Sequence, residues 1–204
     1  DASGHILCPQ SGNGEVARID LRNGSRQVVA ALRPGLDNLA LLDGRLFVSH
    51  HLDGRITEIL SDGGLCEVVT GGFQFPLDIT ADANGGVFVS DNSSVYRIGS
   101  NGAVKPVGWV FGEGFPGSVR GLIHVGDGRL IVTTTDYRIV EYWPEARSSR
   151  TLYTADGQLC GIAIMPDGTI VAVEQGRGRV IALDGASARV LADDLDEPMG
   201  IAIA

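Results

Sequence analysis

The sequence predicts an all-β fold, and three observations carry the prediction. Glycine supplies 29 of the 204 residues and is spread along the whole chain, about twice its ordinary share near 7%. Eleven Asp-Gly or Asn-Gly pairs begin at Asn13, Asn23, Asp43, Asp53, Asp62, Asn84, Asn101, Asp127, Asp156, Asp167 and Asp184, mostly between short apolar runs. Such pairs favour the positive-φ turns that join twisted antiparallel strands. No segment sustains a 3.6-residue apolar period, so helices are not expected.

The chain also repeats itself. Gly-Arg-Leu-Phe-Val-Ser at 44–49, Gly-Gly-Val-Phe-Val-Ser at 85–90, Gly-Arg-Leu-Ile-Val-Thr at 128–133 and Gly-Thr-Ile-Val-Ala-Val at 168–173 are versions of one unit. Gly-His-Ile-Leu-Cys-Pro at 4–9 is a fifth. Their leading glycines are 40, 41, 43 and 40 residues apart, which suits four short strands and their turns. An inner strand is expected at 39–42, 79–81, 122–125 and 162–165, just before each glycine-led run. A third strand follows the run, opened by Arg55-Ile56, Arg97-Ile98, Arg138-Ile139 or Arg179-Val180. The fourth strand falls at 27–31, 66–70, 104–110, 150–153 and 189–192.

A four-stranded sheet of this kind leaves apolar faces that only a neighbouring sheet can cover. Radial stacking about an axis supplies that cover, so a β-propeller of five four-stranded blades is expected. The blades run over 196–204 plus 1–33, 34–72, 73–114, 115–156 and 157–195, as a single domain. The first unit lacks an inner strand, whereas 197–204 looks like an inner strand with nothing after it. Pairing of that strand with 6–9 would complete blade one and close the ring. A six-bladed ring, trimmed in this chain, is the alternative.

Composition narrows the function classes. Sixteen Lys and Arg against 25 Asp and Glu give a net charge of -9. With Lys105 the only lysine, a nucleic-acid partner is not expected, because phosphate contacts need clustered cations. No run of about 18 apolar residues exists, so no membrane-spanning helix is expected. Cys8, Cys66 and Cys160 are an odd set without Cys-x-x-Cys spacing and read as small buried hydrophobes. They leave the compartment open. The chain starts at Asp1 without an initiator Met or an apolar leader, so it is expected to be processed, trimmed or cut from something longer.

Residues 76–91, Pro-Leu-Asp-Ile-Thr-Ala-Asp-Ala-Asn-Gly-Gly-Val-Phe-Val-Ser-Asp, resemble the NHL repeat pattern P-x-G-I-A-V-D-x-x-G-x-V-Y-V-x-D. Residues 159–168, Leu-Cys-Gly-Ile-Ala-Ile-Met-Pro-Asp-Gly, resemble it too, in the style of the regucalcin/gluconolactonase propellers. The resemblance implies the propeller fold. It does not single out a function, because that superfamily includes metal-dependent lactonases, lyases and non-catalytic binding modules.

In an antiparallel meander the start of the inner strand and the end of the second lie at the same edge, so aligned residues of all blades converge on one mouth of the axial channel. Asp37, Asn38, Asp78, Arg120 and Cys160 are expected in an inner ring, and Gln10, His50, Asp91, Thr134 and Glu174 in a second. The gluconolactonase-like resemblance implies one divalent metal held near the inner-strand starts. Asp37, Asn38 and Asp78 are the candidate ligands for a Ca or Mg ion, although Asp78 stands where the repeat pattern has Gly. Their alternative role is to accept bonds from turn amides.

His50 is the candidate proton acceptor and Arg120 the candidate anchor for a substrate carboxylate. His51, Asp91, Thr134, Glu174 and Cys160 are further candidate ligand contacts, together with Trp109, Phe111 and Phe115 from the long link between blades three and four. Arg55, Arg97, Arg138 and Arg179 recur at one repeat position and read as structural braces. Two functions are expected. One is a binding or scaffold propeller that presents an acidic channel mouth to a small-molecule or protein ligand. The other is a metal-dependent lactone or ester hydrolase or lyase.

Overall fold

The structure is a computed structural model that describes residues 4–203 except Asp43 and Ala83. It is a five-bladed β-propeller. Blade one holds β1 (His5–Gln10), β2 (Glu15–Asp20) and β3 (Arg26–Ala31). Blade two holds β4 (Leu36–Leu42), β5 (Arg45–His50), β6 (Arg55–Ile59) and β7 (Leu65–Val69). Blade three holds β8 (Pro76–Asp82), β9 (Gly86–Asp91), β10 (Ser94–Ile98) and β11 (Val104–Trp109). Blade four holds β12 (Val119–His124), β13 (Leu130–Thr134), β14 (Arg138–Trp143) and β15 (Ser148–Thr154). Blade five holds β16 (Leu159–Ile164), β17 (Ile170–Glu174), β18 (Arg179–Asp184) and β19 (Ser187–Ala192). Each blade is an antiparallel meander in chain order.

The turns form for the reason the sequence suggests. The glycine takes a positive φ in ten of the eleven Asp-Gly and Asn-Gly pairs, Gly157 being the exception. The preceding side chain often accepts the amide two residues on, as Asn13 does from Glu15, Asn23 from Ser25 and Asp167 from Thr169. The acid or amide thus fixes one half of the turn and glycine supplies the left-handed half.

The core lies between blades rather than within them. Phe47, Ile56, Ile79 and Val89 pack blade two on blade three. Phe88, Leu122, Val132 and Tyr142 pack three on four, and Ile131, Ile139, Leu159 and Ile181 pack four on five. Val16, Leu36 and Val48 join blade one to blade two. The seam between blades five and one is the smallest: Ala163, Val171 and Ala182 pack with Met165 and Ile201.

The C-terminal segment occupies the inner place of blade one, with a local departure from the expected strand. The Met199 carbonyl crowds Gly161 as the Cys160 carbonyl crowds Gly121 in the blade before, so Met199 stands where an inner strand of the next blade would. Its backbone tie is Gly161 N donating to Met199 O at 2.9 Å. Residues 201–203 have no regular strand form, and among the described residues no ladder joins them to β1.

The repeated arginines are braces, with one change of register. Arg179 pairs with buried Glu174 and Arg55 with Asp53 and Glu67. Arg138 binds Asp136 and the Pro116 carbonyl. Arg97 is not their equivalent. It lies opposite Phe88, as Glu58 lies opposite the corresponding Phe47, because only Asn92 and Ser93 separate β9 from β10. Its partner is accordingly a different one, Asp82.

Candidate functional site

The site is built by an irregularity that all four complete blades share. The ladder between inner and second strands skips register between Leu36 and Leu39, Pro76 and Ile79, Val119 and Leu122, and Leu159 and Ile162. Two residues of each inner strand bulge out of the pairing there, and a bulge re-aims side chains. The bulged pairs are Asp37-Asn38, Leu77-Asp78, Arg120-Gly121 and Cys160-Gly161, and Met199-Gly200 takes the fifth place.

A belt of hydroxyls holds the bulges in position. Ser49 Oγ accepts the Asn38 amide at 3.1 Å and donates to the Leu77 carbonyl at 2.9 Å. Ser90 does the same between the Asp78 amide (3.0 Å) and the Arg120 carbonyl (3.3 Å). Thr133 links the Gly121 amide (2.8 Å) to the Cys160 carbonyl (2.7 Å). Each hydroxyl satisfies its own blade's bulge and the next blade's together, so buried backbone groups that the ladder releases are not left unpaired. Blade five has Val173 at this position, and its glycine amide bonds the next segment directly.

The bulges enclose an axial cavity of about 420 Å³. Asp37, Leu77, Arg120, Cys160 and Met199 form its collar, and Cys8, Pro9 and His51 complete the wall. Ser11, Asn38 and Asp78 line it as well, so the cavity sets polar and charged groups beside apolar surface, as small-molecule sites do. Burial pushes the Asp37 carboxyl up to about 6, against the pull of the His51 and Arg120 charges. Burial likewise raises Asp78 to about 7, opposed by the amides of Leu122 and Ile79. The mouth is consequently less negative near neutrality than its carboxylates suggest. The Arg120 guanidinium is close enough to bias both Asp37 and the Cys160 thiol, yet it makes no hydrogen bond or ion pair among the described residues.

The raised carboxyl of Asp37 has a measurable consequence. The folded state holds this proton more tightly than the unfolded one, so stability falls as pH rises from about 4 through about 6. Asp37→Asn is expected to melt with the wild type near pH 4 and roughly 2–5 °C above it near pH 7. A melting difference that does not change between those two pH values would disprove the shift.

Asp37, Asn38 and Asp78 do come together at the cavity, with Asn38 and Asp78 as a hydrogen-bonded pair. Asn38 Nδ2 donates to Asp78 Oδ1, and Asn38 Oδ1 accepts the Leu39 amide at 2.8 Å. Asp78 also accepts the amides of Ile79 at 2.8 Å and Leu122 at 2.7 Å. Oxygens turned toward N–H donors are not presented to a hard cation. Among the described residues no trio of His, Cys, Asp or Glu is arranged to hold a metal. Asn38 and Asp78, two of the three residues expected to seat a Ca or Mg ion, thus spend oxygens on amide donors.

The second ring turns away from the axis to brace the links between blades. Asp91 accepts the amides of Gln74 (3.1 Å) and Phe75 (2.6 Å). Glu174 accepts the Asp156 amide at 3.1 Å and Arg179 Nε at 2.5 Å. Thr134 bonds Asp136 and the Arg138 backbone. His50 takes the same place in blade two but has nothing to bond. Pro34 of its link lacks an N–H, and the Gly35 amide goes to the Ser11 carbonyl at 2.8 Å. Both His50 ring nitrogens are buried without a hydrogen-bond partner among the described residues, and the Asp53 carboxylate lies 4.0 Å away. His50 does not line the cavity, whereas His51 does, beside the Phe75 ring.

Burial lowers the His50 pKa, so the imidazole binds its proton less readily in the folded state. That contribution to stability is whole above about pH 6.5 and drains away as pH falls below it. His50→Leu is expected to match or exceed the wild-type Tm near pH 7, with a margin that grows toward pH 5. Melting curves at both pH values check this, and a constant margin would contradict it.

Trp109, Phe111 and Phe115 lie elsewhere. They border a separate outer recess with Tyr142 and Pro144, and Phe111 is 92% exposed. The link carrying them folds back over β11 and β14, because Phe115 packs edge-on against Tyr142, instead of reaching over the axis. Cys160 is in the cavity wall, its thiol raised by burial and bonded to Gln175 Oε1 at 3.1 Å.

No protein-family model matches the chain, and no curated protein matches it. Solved structures do. A nidogen/laminin complex aligns with TM-score 0.80 at 17% identity, over 96% of this chain and 80% of that one. A luciferin-regenerating enzyme gives 0.76 at 15% identity, over 98% and 76%. A streptogramin B lyase gives 0.72 at 16% identity, over 98% and 70%. The resemblance to NHL and regucalcin/gluconolactonase-like propellers thus stands as one of fold, and the chain has a β-propeller fold shared with both binding proteins and enzymes.

Proposed function

We propose that the protein is a binding propeller whose axial cavity takes a small organic acid carrying a second polar group, such as a hydroxy acid. The observation that carries this reading is Arg120, a guanidinium held in the cavity collar without an ionic partner among the described residues. It offers two parallel N–H donors to a carboxylate. Leu77, Met199 and Pro9 supply apolar contact, and Asp37 is placed to exchange a hydrogen bond with a hydroxyl. Thermal shift and calorimetry with a panel of small hydroxy acids test it. Arg120→Ala is expected to weaken binding about 10–100-fold, and Arg120→Lys to restore little of it. Equal affinities in wild type and Arg120→Ala would reject the reading.

The second reading is a lactone or ester hydrolase or lyase in the same cavity. What favours it is the Asp37 carboxyl, lifted to about 6 beside His51, because a base poised near neutrality can take a proton from water. His50 is not placed for that task. Release of acid from lactones, lost in Asp37→Asn with binding retained, would put turnover ahead of simple binding.

A further inference from the structure

At the edge of the ring opposite the axial cavity, blades four and five enclose a cleft of about 660 Å³. Its walls are aliphatic: Ile123, Ile131, Leu152, Ile164, Ile170 and Leu183. Two further observations show that it is more than a gap in the packing. His124 lines it, stacked on Phe88 with ring centroids 5.3 Å apart. Arg129 and Arg150 also line it and share one carboxylate, that of Glu141, which is 4% exposed. Two cations on one anion leave a surplus positive charge at the cleft in a chain whose net charge is -9. Asp82, whose charge reaches His124, is itself tied to Arg97.

We propose that this cleft is a second ligand site, for a medium-chain carboxylic acid. The chain lies along the aliphatic walls, which would otherwise stay hydrated. Its carboxylate accepts a charge-assisted hydrogen bond from the guanidinium of Arg150, whose side chain is 67% exposed at the cleft, and offsets the surplus charge of the arginine pair. The volume falls within the range of about 300–1,000 Å³ usual for small-molecule sites. A neutral chain of equal length would leave the charge uncompensated, and a cationic one would be repelled.

Octanoate is the probe, with 1-octanol and octylamine as its neutral and cationic counterparts. Titration followed by amide chemical shifts in the full chain is expected to perturb Ile123 to Val125, Thr169 and Leu183 saturably. The affinity order is expected to be octanoate first, octanol about tenfold weaker and octylamine weakest. Arg150→Ala leaves Glu141 paired with Arg129 and should weaken octanoate about tenfold. Thr169→Trp, on the turn at the cleft rim, should block the probe without entering the core, its melting temperature serving as the folding control. Absence of saturable shifts, shifts confined to Asp37 and Arg120, or unchanged octanoate affinity in both variants would each overturn the proposal.

Discussion

Gly121→Ala is expected to destabilise the propeller by about 2–4 kcal/mol and to lower its Tm by roughly 5–15 °C. A Cβ at this position would stand 2.4 Å from the Cys160 carbonyl and 2.8 Å from Thr133 Oγ1. Both atoms belong to the bond that fastens blade four to blade five, so the new methyl either pushes the blades apart or breaks the Thr133 bridge. Gly200 supplies the control. It occupies the matching place in blade one, where an added methyl would meet nothing within 4 Å, and its change to Ala should cost under about 0.5 kcal/mol. Equal losses in the two variants, measured by thermal and chemical denaturation, would show that the close approach at Gly121 does not govern stability.

Arg179→Ala should cost about 3 kcal/mol, because it strands a carboxylate in the interior. Glu174 is wholly buried, and besides Arg179 it has only the Asp156 amide as a bonding partner among the described residues. Pairing Arg179→Ala with Glu174→Gln removes the uncompensated charge and is expected to recover most of the loss. Glu67→Ala is a useful contrast: its pair with Arg55 is 46% and 31% exposed, and solvent screening limits that loss to about 0–1 kcal/mol. Denaturant midpoints separate the cases. An Arg179→Ala midpoint as close to wild type as that of Glu67→Ala would mean the burial of Glu174 carries no energetic weight.

The fold was legible because it is written five times. The glycine-led runs give the period, and the Asp-Gly and Asn-Gly pairs give the turns. The hydroxyl belt was also present in plain view, as the closing Ser49, Ser90 and Thr133 of those runs, although nothing in one run says that its last residue bonds the next blade. The inner-strand bulges were not legible, since two residues set against one partner leave no mark in composition or period. That is why Arg120 could be placed in the collar while His50, one residue beyond the belt, was expected at the mouth and is sealed behind it. Arg97 misled for a related reason: a shorter link before β10 shifts its register while leaving the Arg-Ile pair looking alike. The long link after Trp109 was expected at the same mouth because it leads into an inner strand and carries aromatics that could wall a pocket, whereas its direction is set by the packing of Phe115 on Tyr142.

The hydroxyls, and not the collar side chains, bond blade two to three, three to four and four to five. The carbonyls and amides that bear the mechanical linkage belong to the backbone, so the five fingertips pointing at the axis carry none of the structural tension. An acid, two apolar residues, a guanidinium and a thiol can therefore sit side by side on a frame that treats them alike, which makes the hub of this wheel interchangeable while its spokes are not.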